Sequence, residues 1–166
     1  MNEASNPTSE NVVEMLPALR AFARTFYRNQ NDADDLVQDT LVRALNSYNT
    51  FTPGTQLKSW LFTIMRNAFY TQIRKSSREP LGVIRCVSDQ RSAPPSQEWT
   101  VHAKEVAVAI YSLPASQREV LVLITLEGMS YEDAAHVCGC NIGTVKSRLN
   151  RARARLSSQF DTSDAR

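Results

Sequence analysis

The sequence predicts an all-α protein: two small helical domains joined by a flexible linker, the C-terminal one a helix-turn-helix. Three observations carry this. Apolar residues recur at helical spacing through most of the chain, and no run alternates convincingly with period two. Capping residues stand before the apolar runs, and glycines stand where two of those runs should stop. Between the two helical stretches, residues 76–100 carry Ser76, Ser77, Pro80, Gly82, Ser88, Ser92, Pro94, Pro95 and Ser96, which interrupt any period. A structureless segment of that length does not suit the interior of one compact domain, so the expected division is 11–75, a linker at 76–100, and 101–158. Both domains are short for self-sufficient cores, which favours an adaptor over a self-contained enzyme.

In the first domain, Asn31–Asn46 is expected to be a helix. Asp32, Asp34 and Asp35 fall near its start, where the helix dipole favours carboxylates, and Val37, Leu41, Ala44 and Tyr48 follow at helical spacing. Pro53-Gly54 marks a turn, and Thr55 is a candidate cap for a helix from Leu57 to Lys75. Leu57, Leu61, Ile64 and Ala68 share one face of that helix, widened by Trp60, Met65 and Phe69. The C-terminal domain has three start signals in succession. Ser116 with Glu119 has the capping-box pattern, Ser130 with Asp133 is a looser variant, and Asn141 is a good N-cap, while Gly128 and Gly139 mark helix ends. The expected helices are Ser116–Glu127, Tyr131–Val137 and Ile142 to about Ser157.

Composition excludes several function classes. With 19 basic and 17 acidic side chains the net charge is only +2, so distribution must decide whether nucleic acid is a partner. A hydrophobic fraction of 42% excludes disorder throughout. No stretch approaches the roughly 18 apolar residues of a membrane span, and Met1–Glu10 is polar, so no membrane insertion and a cytoplasmic location are expected. Cys86, Cys138 and Cys140 do not suggest a disulfide framework. His136, Cys138 and Cys140 follow an H-x-C-x-C spacing that does not match structural zinc sites, so no metal and no cofactor are assigned. No nucleophile arrangement or phosphate-cradling glycine loop is found, and catalysis is not expected.

The last helix carries the functional argument. Ile142, Val145, Leu149, Ala152 and Leu156 are spaced 3, 4, 3, 4 and form an apolar face. Thr144, Lys146, Ser147, Asn150 and Arg151 are left pointing away from it. Lys146, Arg148, Arg151, Arg153 and Arg155 form a stripe with no acid between Ile142 and Leu156. A short helix, a glycine turn and a basic, amide-bearing second helix make the plan that inserts into the DNA major groove. Five phosphate contacts would give a log-log salt slope of about −4.5. A second polar stripe, Thr63, Arg66, Asn67, Tyr70 and Arg74 at i, i+3, i+4, i+7 and i+11, mixes cations, an amide and a ring, a combination suited to unstacked bases. Trp60 and Phe69, taken singly, are more often core rings than base-stacking platforms, and an ordinary solvent face is the competing reading of the whole stripe. The cluster Asp34, Asp35, Gln38 and Asp39 lacks the ligands to complete a metal site and is better read as an exposed acidic face awaiting a basic partner.

Four linked motifs then resemble a known family. They are Asp32-Ala-Asp-Asp-Leu-Val-Gln-Asp-Thr-Leu-Val-Arg-Ala44, Ser59-Trp-Leu-Phe-Thr-Ile-Met-Arg-Asn67, Leu113-Pro-Ala-Ser-Gln-Arg-Glu-Val-Leu121 and Gly143-Thr-Val-Lys-Ser-Arg-Leu-Asn-Arg-Ala-Arg153. Their order resembles the extracytoplasmic-function (group 4) sigma factors of bacterial RNA polymerase, with the pattern closest to the EcfG-like members of the general stress response. The resemblance implies that Asp34, Asp35, Gln38 and Asp39 meet the β′ clamp helices of core RNA polymerase, which also offers its β subunit. It implies that the loop 49–56 and the helix carrying Trp60, Thr63, Arg66, Asn67, Tyr70 and Arg74 capture a flipped base and the melted strand at the minus-ten element. It implies that Thr144, Lys146, Ser147, Arg148, Asn150 and Arg151 read the minus-thirty-five element of promoter DNA. It further implies restraint by a NepR-type anti-sigma factor, itself sequestered by a PhyR-type regulator. The 25 linker residues average about 28 Å as a coil and reach about 80 Å extended. The two promoter elements lie about 60 Å apart at 3.4 Å per base pair, so two domains with an extended linker span them. A conventional helix-turn-helix regulator binding an operator as a dimer explains the last helix alone. An RNA-binding protein or metal-dependent enzyme would act without polymerase.

Overall fold

The computed structural model describes residues 9–52, 56–76 and 101–161, which form helices and turns with no strand among them. Thr55 and the Pro53-Gly54 turn, residues 77–100 of the expected linker, and Cys86 lie outside the described residues. The helices are α1 (Ser9–Glu14), α2 (Leu16–Ala23), α3 (Gln30–Asn46), α4 (Leu57–Ser76), α5 (Val101–Ser112), α6 (Ala115–Leu121), α7 (Tyr131–Cys138) and α8 (Ile142–Asp161). They fall into two compact units, α1–α4 and α5–α8.

In the first unit α3 packs against α2 and α4. It starts one residue earlier than the acids suggest, because Asn29 is the cap and its side chain accepts from the Asn31 N–H at 3.0 Å. Its buried stripe is Ala33, Leu36, Val37, Thr40 and Ala44. Leu41 is only half-buried, and Tyr48 lies past the helix end in a 3₁₀ turn, Tyr48–Thr50. Thr40 is tolerated in the core because its hydroxyl donates to the Leu36 carbonyl at 2.7 Å. From α4 the core takes Leu61, Phe62, Met65, Ala68 and Phe69, leaving Leu57, Trp60 and Ile64 half-buried. Rings dominate it: Phe22 stacks on Phe62 at 4.6 Å and Phe26 lies against Phe69 at 4.4 Å between centroids.

The second unit is aliphatic. Leu113, Val120, Leu123, Ala134, Val137, Val145, Leu149 and Ala152 are all buried, and α6 and α7 both pack on α8. The Ser116–Glu119 capping box does not form. Pro114 is the N-cap residue, its carbonyl accepting from the Gln117 and Arg118 N–H groups at 2.9 and 3.0 Å, and Glu119 is wholly buried. The helix expected to run to Glu127 widens instead into a π turn over Val122–Leu126. There the Glu127 N–H donates to the Val122 carbonyl at 3.0 Å, and the Thr125 hydroxyl donates to the Leu121 carbonyl at 2.5 Å.

The helix-turn-helix forms with the expected caps. Ser130 Oγ accepts from the Asp133 N–H at 3.0 Å and donates to the Asp133 carboxylate at 2.8 Å. Gly139 ends α7 at φ +61°, a left-handed conformation costly for any residue with a Cβ. Beyond it the Cys140 N–H donates to the Ala135 carbonyl at 3.1 Å, closing the helix end. Asn141 then caps α8, its Oδ1 accepting from the Thr144 N–H at 2.7 Å and the Thr144 hydroxyl at 2.9 Å.

Candidate nucleic-acid interface

On α8 the inward face is Val145, Leu149 and Ala152, with Leu156 half-buried and Ile142 exposed at the helix start. Lys146, Ser147, Asn150 and Arg151 are exposed on the opposite side, and Arg153 and Arg155 are exposed beyond them. Four of the six residues expected to read DNA therefore share one outward surface. The other two sit at its edge: Thr144 is half-buried with its hydroxyl in the Asn141 cap, and Arg148 is half-buried with Nη1 3.9 Å from Cys140 Sγ. Lys146 Nζ lies 5.7 Å from the centroid of the Tyr131 ring.

In the first unit, α4 turns Thr63, Arg66, Asn67, Tyr70 and Arg74 away from the ring core. Asn67 and Arg74 are exposed, the other three half-buried. The Thr63 hydroxyl donates to the Ser59 carbonyl at 2.8 Å, so only its lone pairs remain for a ligand. Arg66 lies over Tyr70 at 4.6 Å, and Tyr70 meets Phe69 and Phe26 edge-on, so the polar stripe is braced by the core beneath it. Trp60 is not on this stripe's centre; its ring packs at 5.1 Å against Phe51, in the segment leading to the loop.

The acidic cluster on α3 is divided by its surroundings. Asp34 pairs with Arg20 at 3.6 Å and Asp39 with Arg43 at 2.9 Å, both surface ion pairs of small worth. Asp35 and Gln38 are exposed at the centre of the face opposite the core. Between α3 and α4 runs a groove of about 490 Å³ lined by Tyr27, Asp32, Asp35, Asp39, Gln72 and Lys75, among others. Burial, with the Asp32 carboxylate beside it, raises the Tyr27 phenol above its ordinary pKa. Among the described residues no group of three or more His, Cys, Asp or Glu is placed to hold a metal ion, and no helix is long and apolar enough to cross a membrane.

Residues 12–79 match the model of sigma-70 region 2, and residues 103–156 match that of sigma-70 region 4. The chain is an extracytoplasmic-function RNA polymerase sigma factor. It is 45% identical over 148 residues to the sigma factor EcfG of Rhodopseudomonas palustris, covering 89% of this chain and 82% of that one. The structure of the sigma factor RpoE in complex with the anti-sigma factor NepR from Bartonella quintana matches with a TM-score of 0.80 and 44% identity, over 92% of this chain and 96% of that one. The sigma factor CnrH of Cupriavidus metallidurans is 35% identical over 155 residues, 87% of this chain and 81% of that one. A structure of CnrH with the cytosolic domain of CnrY matches with a TM-score of 0.68 and 31% identity, over 93% of this chain and 87% of that one. The chain is thus an EcfG-like member of the family, whose members are transcription initiation factors.

Two features of this sigma factor lie outside what sequence reasoning reached. Val42 and Leu45 are 56% and 74% exposed, and they continue the outward line of Asp35 and Gln38 along α3 at spacings of 3, 4 and 3. Two apolar residues on the solvent side of a helix are the signal that could have found them. Tyr131 offers no such signal, since nothing in its local sequence distinguishes it from any helix-start aromatic; only folding brings it to Lys146.

Proposed function

We propose that this sigma factor divides promoter-specific initiation among three surfaces. The outward line of α3, Asp35 and Gln38 flanked by Asp34 and Asp39 and extended by Val42 and Leu45, meets the basic β′ clamp helices of core RNA polymerase. The loop 49–56 and the α4 stripe, with Trp60 beside it, hold the melted minus-ten strand. The outward face of α8 reads the minus-thirty-five element. Residues 11–75 and 101–158 act as the two grips and residues 76–100 as the tether between them. The observation that carries this reading is the cap-fixed α8, which places Lys146, Asn150 and Arg151 together and exposed on the side away from its packed face. The complexes of RpoE with NepR and of CnrH with CnrY support regulation of this chain by an anti-sigma protein of the NepR type, and the EcfG-like pattern places that regulation, in this reading, in a stress response in the cytoplasm.

Transcription in vitro with purified core enzyme tests the division. Asp35→Lys places a cation against a basic partner and is expected to weaken core binding about tenfold or more. Lys146→Ala with Arg151→Ala is expected to leave core binding intact and to remove the response to changes in the minus-thirty-five element. It should also reduce the salt slope by about 0.9 for each phosphate that is no longer neutralised. Initiation that ignores both sets of changes, or operator binding without initiation, overturns the assignment.

A further inference from the structure

We infer that Tyr131 is a positioning residue for Lys146, holding its ammonium where α8 presents it to DNA. The inference rests on the reading of α8 as the DNA-reading helix. Tyr131 is the first residue of α7, and its backbone is pinned on either side. Ser130 caps the helix through the Asp133 N–H, and the Ser130 carbonyl accepts from the Ala134 N–H at 3.0 Å. Lys146 stands in the second turn of α8, whose start is pinned by Asn141. A left-handed glycine joins the two helices, so the ring and the ammonium meet across the helix-turn-helix at 5.7 Å.

The chemistry of the two side chains explains what that approach does. Lysine is a point charge on a long stem with many rotamers, and fixing it on a phosphate or base edge forfeits that freedom at the moment of binding. The negative face of the tyrosine ring attracts the ammonium within about 6 Å and restricts it beforehand. A cation already confined near its bound position binds with a smaller entropic loss. Tyr131 is half-buried and Lys146 is exposed, so the ring is backed by protein while the ammonium keeps its access to a ligand. The ring face, not the hydroxyl, performs this task.

Promoter binding by holoenzyme, assembled from core polymerase and the full chain and followed as a function of salt, tests the inference. Tyr131→Phe is expected to bind as the parent does. Tyr131→Leu is expected to bind about two- to fivefold more weakly, the range for an exposed cation–ring pair, with the salt slope kept because Lys146 still reaches its phosphate or base. Tyr131→Met supplies a second ringless variant, and melting curves show that each variant folds as the parent does. In a Lys146→Ala background, Tyr131→Leu is expected to have no further effect. A weakening of equal size in that background, or a Tyr131→Phe variant as weak as Tyr131→Leu, overturns the inference, because Tyr131 then acts independently of the cation. If Lys146→Ala changes neither affinity nor slope, the reading of α8 itself falls, and the Tyr131 inference with it.

Discussion

The α1–α4 unit fills its core with rings, four phenylalanines of α2, α4 and the turn after α2, while the α5–α8 unit buries no aromatic side chain among its described residues and packs alanines, valines and leucines instead. The difference reaches the surface. In the first unit, Tyr70 touches the buried Phe69 and Phe26 and carries Arg66 on its face, so rings connect core to polar stripe. In the second, α8 buries Val145, Leu149 and Ala152 as it packs on α6 and α7, and caps at Ser130, Gly139 and Asn141 fix where the helix-turn-helix starts and turns. One surface is braced by side-chain packing and the other by backbone termini, which makes them sensitive to different substitutions.

The largest test removes a core side chain from each unit. Phe62→Ala is expected to cost about 3–5 kcal/mol and Leu149→Ala about 2–5 kcal/mol, both being wholly or almost wholly buried. Hydrogen exchange should show α2–α4 amides losing protection in the first variant and α6–α8 amides in the second. Loss of protection in both units at once would show that their cores do not hold independently. Smaller effects come from the caps. Gly139→Ala forces a Cβ into the left-handed region at a cost of about 1–2 kcal/mol, and Asn141→Ala removes about 1 kcal/mol. Asn29→Ala, at the start of α3, should cost a similar amount in thermal melting. Only the Asn141 change is expected also to weaken dependence on the minus-thirty-five element.

The smallest effect is at Tyr27. Its phenol has a raised pKa in the folded chain, so the folded state keeps that proton when the unfolded state has begun to lose it. The associated stability is fully present below the ordinary tyrosine pKa and falls as pH rises through the folded value. Absorbance titration should show a late-ionising tyrosine that disappears in Tyr27→Phe. A chain whose tyrosines all ionise together in the ordinary range would show that burial beside Asp32 does not hold Tyr27 neutral.

Much of the helix-turn-helix is legible in sequence because its determinants are local. Ser130 bonds three residues ahead, Asn141 likewise, and Gly139 supplies a backbone conformation its neighbours cannot. The same reasoning fails at Ser116 and Glu119. A capping box needs its glutamate free to fold back on the helix start, and Glu119 is wholly buried in the core instead. On α3, periodicity finds the buried Val37 and Ala44 but not Thr40, whose polarity hides a hydroxyl satisfied by its own helix. The outward faces of α4 and α8 follow from periodicity, whereas the half-burial of Thr144 goes with its place in the Asn141 cap.

Helical class, most helix starts, the cationic character of α8 and, through four spaced motifs, the family are legible along the chain. Those properties depend on neighbours within about one helical turn or on residue order, and both are written along the chain. Folding was needed to settle which polar residues enter a core, where α6 widens into a π turn, and that Tyr131 meets Lys146. Each of those depends on what a second helix brings to the site, and sequence distance carries no record of that approach.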